Sequence, residues 1–239
     1  MSINPDNLRN QYIAIVPVFN EEKKVKKVLN SLLSSYPILK IYTIDDGSTD
    51  KTTEIIKEFK DINVIKIFNN KNYGKGYSMP LALSKITPDK NRIIFFWDGD
   101  DELDVKDIHK LIHHYENEPN CNILFGSRFL VKNPILKYGF LKVLINYSLT
   151  FLFNNLAGTK LTDMETAVKS FNSVLLKDLQ LISDRFEIEP EITFKLAKLN
   201  EINEFPISYK PRTKKEGKKI SIIDGIKTIK TIFLIRKYE

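Results

Sequence analysis

Between Tyr12 and Trp97, short continuous apolar runs alternate with stretches of helical periodicity, and few folds accept that rhythm. Tyr12 to Val16, Ile41 to Ile44, Asn63 to Phe68 and Arg92 to Trp97 read as strands. After the first of them, Val25, Val28, Leu29, Leu32 and Leu33 recur at the i, i+3, i+4, i+7, i+8 spacing of one helix face. The turn Asp45-Asp46-Gly47-Ser48-Thr49-Asp50 supplies an N-cap for a helix carrying Ile55, Ile56 and Phe59, and Tyr77 to Ile86 forms a third helix. Strands that lack polar alternation are buried on both faces, so the pattern predicts an α/β fold, a mostly parallel sheet with helices on both sides. Beyond a fifth strand near Ile123 to Phe125 the rhythm changes. Ile135 to Leu156 reads as one largely apolar helix, followed by a helix near Pro190 to Leu199, a strand near Glu204 to Tyr209 and a basic tail. The 239 residues suit one domain, and no repeat or break in composition marks a second.

In sheets of this kind ligands bind beyond the carboxyl ends of the strands, near a switch in strand order. The residues predicted there are polar or acidic: Pro17-Val18-Phe19-Asn20-Glu21 after the first strand, Asp45-Asp46 after the second, and Asp98-Gly99-Asp100-Asp101-Glu102 after the fourth. Asp98 and Asp100, two residues apart in a turn, can share one hard divalent ion, Mg²⁺ or Mn²⁺, and leave positions open for diphosphate oxygens. A merely solvated acidic turn is the plainer reading. Without GxxxxGK[ST] a P-loop hydrolase is unsupported, and Gly74-Lys75-Gly76 alone reads as an ordinary loop. His109 and His113 stand four apart, as helix-borne ligands would, but with no third ligand in view they read as a solvated helix face. The single cysteine, Cys121, excludes an internal disulfide and reads as a small buried residue of a chain in a reducing, cytoplasmic compartment.

The formal charge of +7 is unevenly placed, because Pro206 to Glu239 holds ten Lys and Arg against three acids and so carries the whole excess. Such a patch fits a polyanionic partner: a phosphate-bearing ligand, an anionic membrane surface or nucleic acid. Little aromatic interleaving argues against nucleic acid. The polar Met1 to Asn10 reads as no secretory signal, and the most apolar stretch, Val143 to Phe153, falls short of the roughly 20 residues that cross a bilayer. In the tail, Ile222, Ile223, Ile226, Ile229 and Phe233 lie to one side, with Lys227, Lys230 and Arg236 elsewhere. The pattern of the tail and the apolar 135–156 helix suits peripheral contact with a membrane or, equally, a core-facing helix.

Taken in order, Val16-Pro17-Val18-Phe19-Asn20-Glu21, Asp45 to Asp50, Asn72-Tyr73-Gly74-Lys75-Gly76, Asp98 to Glu102 and Gly126-Ser127-Arg128-Phe129 resemble glycosyltransferase family 2. Leu161-Thr162-Asp163-Met164-Glu165-Thr166, Arg185-Phe186-Glu187-Ile188-Glu189-Pro190-Glu191, Pro206-Ile207-Ser208-Tyr209 and Arg212 to Ile220 are similar to its dolichyl- and polyprenyl-phosphate mannosyl- and glucosyltransferase-like branch. The resemblance implies a GT-A, Rossmann-like fold with a nucleotide-sugar-binding half over 11–130, an acceptor-side half over 131–220 and a basic amphipathic tail over 221–239. It implies metal-dependent, inverting transfer of a hexose from a nucleotide diphosphate sugar to polyprenyl phosphate. Pro17, Phe19, Asn20, Glu21, Asp46, Lys75 and Asp98 would bind the donor, and Asp98 and Asp100 the metal. Arg128, Arg212, Lys218 and Lys219 match the positions that hold the acceptor phosphate. Asp163 and Glu165 would sit near the donor sugar or acceptor, unless they are only capping or ion-pair carboxylates. An ionised phosphate is itself a nucleophile, so transfer to it demands no strong general base. A saccharide acceptor in cell-surface glycan assembly and a non-catalytic nucleotide-sugar binding module are the alternatives.

Overall fold

The structure is a computed structural model that describes residues 10–35, 38–183 and 187–210. Its centre is a seven-stranded sheet in the order β3-β2-β1-β4-β6-β5-β7. The strands are β1 (Gln11–Val18), β2 (Ile38–Asp45), β3 (Val64–Phe68), β4 (Arg92–Phe96), β5 (Ile123–Ser127), β6 (Lys169–Asn172) and β7 (Ile202–Pro206). All neighbours are parallel except β6, which runs antiparallel to both β4 and β5. β1 lies between β2 and β4, so the chain departs from it in opposite directions and the loops after β1 and β4 leave a crevice between them.

Side chains alternate across the sheet and build two cores. Tyr12, Ala14 and Val16 of β1 face the layer of α1 (Val25–Ser35), α2 (Thr52–Glu58) and α4 (Lys106–Asn117). Ile13 and Ile15 face α3 (Lys75–Leu83) and α7 (Ile188–Leu199). Because both faces are covered, the strands need continuous apolar sequence, which is the feature that betrayed them.

The apolar stretch near 135–156 is not one helix. It is divided into α5 (Pro134–Tyr138) and α6 (Phe140–Ala157) by Gly139, whose φ of 86° closes the first helix and opens the second. A Cβ there would meet nothing within 4 Å, so backbone conformation rather than space requires glycine. The last strand is also shorter than expected: it ends at Pro206, and Tyr209 makes only an isolated bridge to Leu103. Phe59 lies just beyond α2, and α3 begins two residues before Tyr77 and ends at Leu83. Among the described residues no helix is long and apolar enough to cross a membrane.

Candidate active site

The carboxyl ends of the parallel strands and the start of β6 share one edge, and that edge collects the charged groups. The loops after β1 and β2 are sewn together there. Asn20 N donates to Ser48 Oγ (2.9 Å), Thr49 N to Asn20 Oδ1 (2.8 Å), and Glu21 N to Thr52 Oγ1 (2.8 Å). Asn20 adopts the left-handed region (φ 55°) that asparagine tolerates, and Phe19 is exposed at the mouth. Asp46, buried, accepts from Asn69 Nδ2 (2.7 Å), Ser78 Oγ (2.9 Å), Tyr73 N (3.1 Å) and Gly74 N (2.7 Å). Its carboxylate thereby fixes the 69–74 loop and the start of α3, which aims Lys75.

The acidic turn after β4 sits directly against β1: a Cβ added to Gly99 would lie 2.2 Å from Val18 Cγ1. Asp100 Oδ1 accepts the amide of Glu102 (3.2 Å), and Lys24 Nζ donates to Asp100 O (3.0 Å). Asp98 Oδ1 accepts from Lys75 Nζ at 2.9 Å. From there a chain of charges enters the sheet. Lys75 Nζ also meets Glu189 Oε1 at 2.5 Å, Glu189 Oε2 takes Lys169 Nζ, and Lys169 donates onward to Thr166 O. Burial opposes ionisation of Glu189, but Lys169 and Lys75 outweigh it and hold its carboxyl down to about 2. Burial likewise works against the Lys75 ammonium, and Asp98 and Glu189 reverse the balance, raising it above the ordinary lysine value.

On the other side of the crevice, Arg128 grips Asp163 through Nε and Nη2, both at 2.6 Å, and its amide adds a third contact at 3.0 Å. Asp163 is fully buried; Glu204 fixes its segment by accepting from Thr162 N (2.8 Å) and Asp163 N (3.2 Å). The guanidinium carbon lies 5.6 Å from the Phe129 ring centre and 5.4 Å from that of Tyr209. Tyr209 in turn donates from its hydroxyl to Glu102 Oε2 at 2.5 Å, which joins Arg128 to the acidic turn through one side chain. Glu165 lies within electrostatic reach of Lys169, Glu189, Arg128 and Asp163; burial raises its carboxyl above the ordinary value, and its buried Oε1 has no hydrogen-bond partner among the described residues.

The geometry thus brings Asp98 and Lys75 together, pairs Arg128 with Asp163 as the ion-pair alternative for Asp163 anticipated, and sets Glu165 between the two groups. Arg212, Lys218 and Lys219, with the amphipathic tail, lie outside the described residues. Lys169, Glu189, Glu102 and Glu204 are site residues to which sequence reasoning gave no role. Among the described residues no three His, Cys, Asp or Glu side chains cluster as a metal cage. Asp98 and Asp100 offer hard oxygens only, and so fit a Mg²⁺ or Mn²⁺ that completes its shell with diphosphate and water. His109 and His113 are exposed on α4, and His113 packs against Asn117.

The family model for glycosyl transferase family 2 matches residues 13–178. The chain belongs to that family. It is 31% identical over 213 residues to the UDP-N-acetylglucosamine–dolichyl-phosphate N-acetylglucosaminyltransferase of Methanococcus voltae, covering 81% of this chain and 83% of that one. The dodecaprenyl-phosphate galacturonate synthase of Rhizobium johnstonii is 23% identical over 207 residues, with 83% and 58% covered. Among solved structures, glucosyl-3-phosphoglycerate synthase of Mycobacterium tuberculosis bound to uridine diphosphate superposes with a TM-score of 0.73 at 15% identity, covering 99% of this chain and 86% of that one. Another structure of the same enzyme, with Mn²⁺, UDP-glucose and glycerol 3-phosphate, gives 0.70 at 16% identity and the same coverage. This family 2 member is a glycosyltransferase, and the sheet described above is its GT-A fold.

Proposed function

We propose that the protein transfers a hexose, with inversion, from a nucleotide diphosphate sugar to polyprenyl phosphate at the cytoplasmic face of a membrane. The observation that carries this reading is the Tyr209 link: a turn bearing two hard carboxylates and an arginine suited to an anion are held one side chain apart on the ligand-binding edge. The names of the Methanococcus and Rhizobium relatives, both polyprenyl-phosphate enzymes, support the acceptor class.

In this reading the 11–130 half holds the donor. Pro17, Phe19, Asn20 and Glu21 line the nucleotide side, Asp46 aims Lys75 through the 69–74 loop, and Asp98 and Asp100 are the metal ligands. When bound, the divalent ion supplies charge neutralisation to the departing diphosphate. Arg128 orients the acceptor phosphate, with Arg212, Lys218 and Lys219 as further cations of the acceptor side. A phosphate oxygen attacks the anomeric carbon from the face opposite the diphosphate, the C–O bond to the diphosphate breaks, and nucleoside diphosphate leaves. The attacking oxygen carries no proton, so Asp163 serves by fixing the Arg128 plane and Glu165 by its charge, rather than as general bases.

The test is nucleoside diphosphate release from a panel of nucleotide sugars with Mg²⁺ or Mn²⁺, with and without detergent-dispersed polyprenyl phosphate. Release that requires the lipid phosphate and is lost in Asp100→Ala is the expected result. Release stimulated instead by a saccharide would refute the acceptor assignment, and absence of donor binding would refute the enzymatic reading of the site.

A further inference from the structure

α6 is largely apolar, and its apolar residues lie on exposed as well as buried sides, an arrangement that ordinarily calls for a second covering surface. One stripe is buried: Val143, Asn146, Thr150 and Phe153 face the core. That stripe is tied to the segment carrying Asp163, because Asn146 Nδ2 donates to Thr162 O (3.4 Å) and Asn154 Nδ2 to Leu161 O (2.8 Å). The opposite face and the 135–137 part of α5 are exposed. Leu136 is 85% exposed, Phe140 64%, Leu141 66% and Phe151 71%, with Leu144 and Ile145 also exposed among them. Globular proteins seldom leave so large a contiguous apolar patch uncovered unless something docks on it.

Charge identifies the partner. From Phe129 to Thr162 there is no aspartate or glutamate, while Lys132, Lys137, Lys142 and Lys160 all lie in this stretch and all are exposed. An apolar face whose own segment carries cations and no acids complements a surface that is apolar inside and anionic at its boundary. The break at Gly139 prevents α5 and α6 from forming one span. α6, about 27 Å long at 1.5 Å per residue, is pinned along its buried stripe to the body of the protein and offers its opposite side lengthwise.

We propose that the open face of α5 and α6 is a docking surface for an anionic phospholipid bilayer. The inference takes its purpose from the polyprenyl phosphate reading. Phe129, next to Arg128, is wedged against Tyr138 of α5 (ring centres 5.8 Å) and Tyr147 of α6 (5.5 Å). Seating the two helices in the interface therefore brings Arg128 to the level at which a lipid phosphate lies.

The test is co-sedimentation of the full chain with vesicles of phosphatidylcholine alone or mixed with phosphatidylglycerol, without donor or polyprenyl phosphate. The parent should bind the anionic vesicles, less so in high salt. The triple variant Leu136→Gln, Phe140→Gln, Leu141→Gln should bind them weaker by about tenfold or more, with unchanged melting temperature and donor binding. The variant retains every basic residue of the tail, so undiminished vesicle binding would overturn the proposal. A parent that ignores vesicles and sediments as a dimer through this face, or whose 211–239 segment covers it, would overturn it too. The two readings separate cleanly: vesicle binding without lipid-dependent turnover sinks the proposed reaction alone, and turnover without vesicle binding sinks the docking surface alone.

Discussion

Replacing Glu189 by glutamine removes one charge from the middle of the Asp98–Lys75–Glu189–Lys169 chain while keeping its shape. A carboxyl held at about 2 against an ordinary 4.5 contributes about 3 kcal/mol at neutral pH. The cost can be reached independently. Lys75 keeps Asp98, but Lys169, with no exposed surface, is left as a buried cation without its ion-pair partner, beside the Thr166 carbonyl, the Phe125 ring and, at electrostatic range, the Glu165 carboxyl. Breaking a buried pair in this way costs about 3–5 kcal/mol. For a chain of this size that lowers the melting temperature by roughly 10 °C. The sign with pH follows from the depressed value. The contribution is complete above about 4.5 and is lost as pH falls through about 2, so the parent should weaken across that window and Glu189→Gln should show a flatter curve there. The double variant Glu189→Gln, Lys169→Met removes both charges and should regain most of the loss, because a buried pair replaced by neutral groups of similar size is close to neutral. Thermal melts and urea titrations of the parent, Glu189→Gln, Lys169→Met and the double variant decide the matter. A single variant within about 2 °C of the parent, or losses that simply add in the double variant, would refute the reasoning.

Gly99→Ala should force Val18 or the acidic turn to shift, since the new Cβ would lie 2.2 Å from Val18 Cγ1; a loss of about 1–3 kcal/mol and lowered turnover are expected, both relieved by adding Val18→Ala. Glu165→Gln should stabilise the protein at neutral pH, read by urea titration, because burial disfavours the charged carboxyl there despite Lys169 and Arg128 nearby. The raised value of Glu165 means that the parent loses stability as pH climbs from about 4.5 through the folded value, and the variant should lack that decline.

What was legible in the sequence was what depends on local pattern. Continuous apolar strands and acidic turns at their ends gave the parallel part of the sheet and the positions of Asp98 and Asp100, whereas Arg128 was reached only through the resemblance to family 2. β6 was not legible, because Lys169-Ser170-Phe171-Asn172 has neither an apolar run nor an alternation that marks a strand. Its leading lysine is buried only because Glu189, twenty residues further on, arrives from α7. The one available signal was a lysine set between Val168 and the Ser170-Phe171 pair, a charge in a place that otherwise reads as interior. The division at Gly139 was obscured for a similar reason: apolar periodicity continues across it, and a positive φ leaves no trace in hydrophobicity.

The pairing of Arg128 bears on how a site so full of opposite charges can still receive an anion. Asp163 occupies two of the five guanidinium N–H bonds in a bidentate grip, which leaves three for another acceptor. The grip also fixes the plane of the guanidinium between Phe129 and Tyr209, so the direction of those three bonds is set before anything binds. An incoming phosphate then has no need to displace Asp163, and the arginine loses little side-chain entropy on meeting it. Were Asp163 absent, Arg128 would carry more positive charge toward a ligand but would have to be ordered by it. On the proposed reading, the buried carboxylate exchanges some raw attraction for a fixed direction, and direction is what an in-line displacement requires.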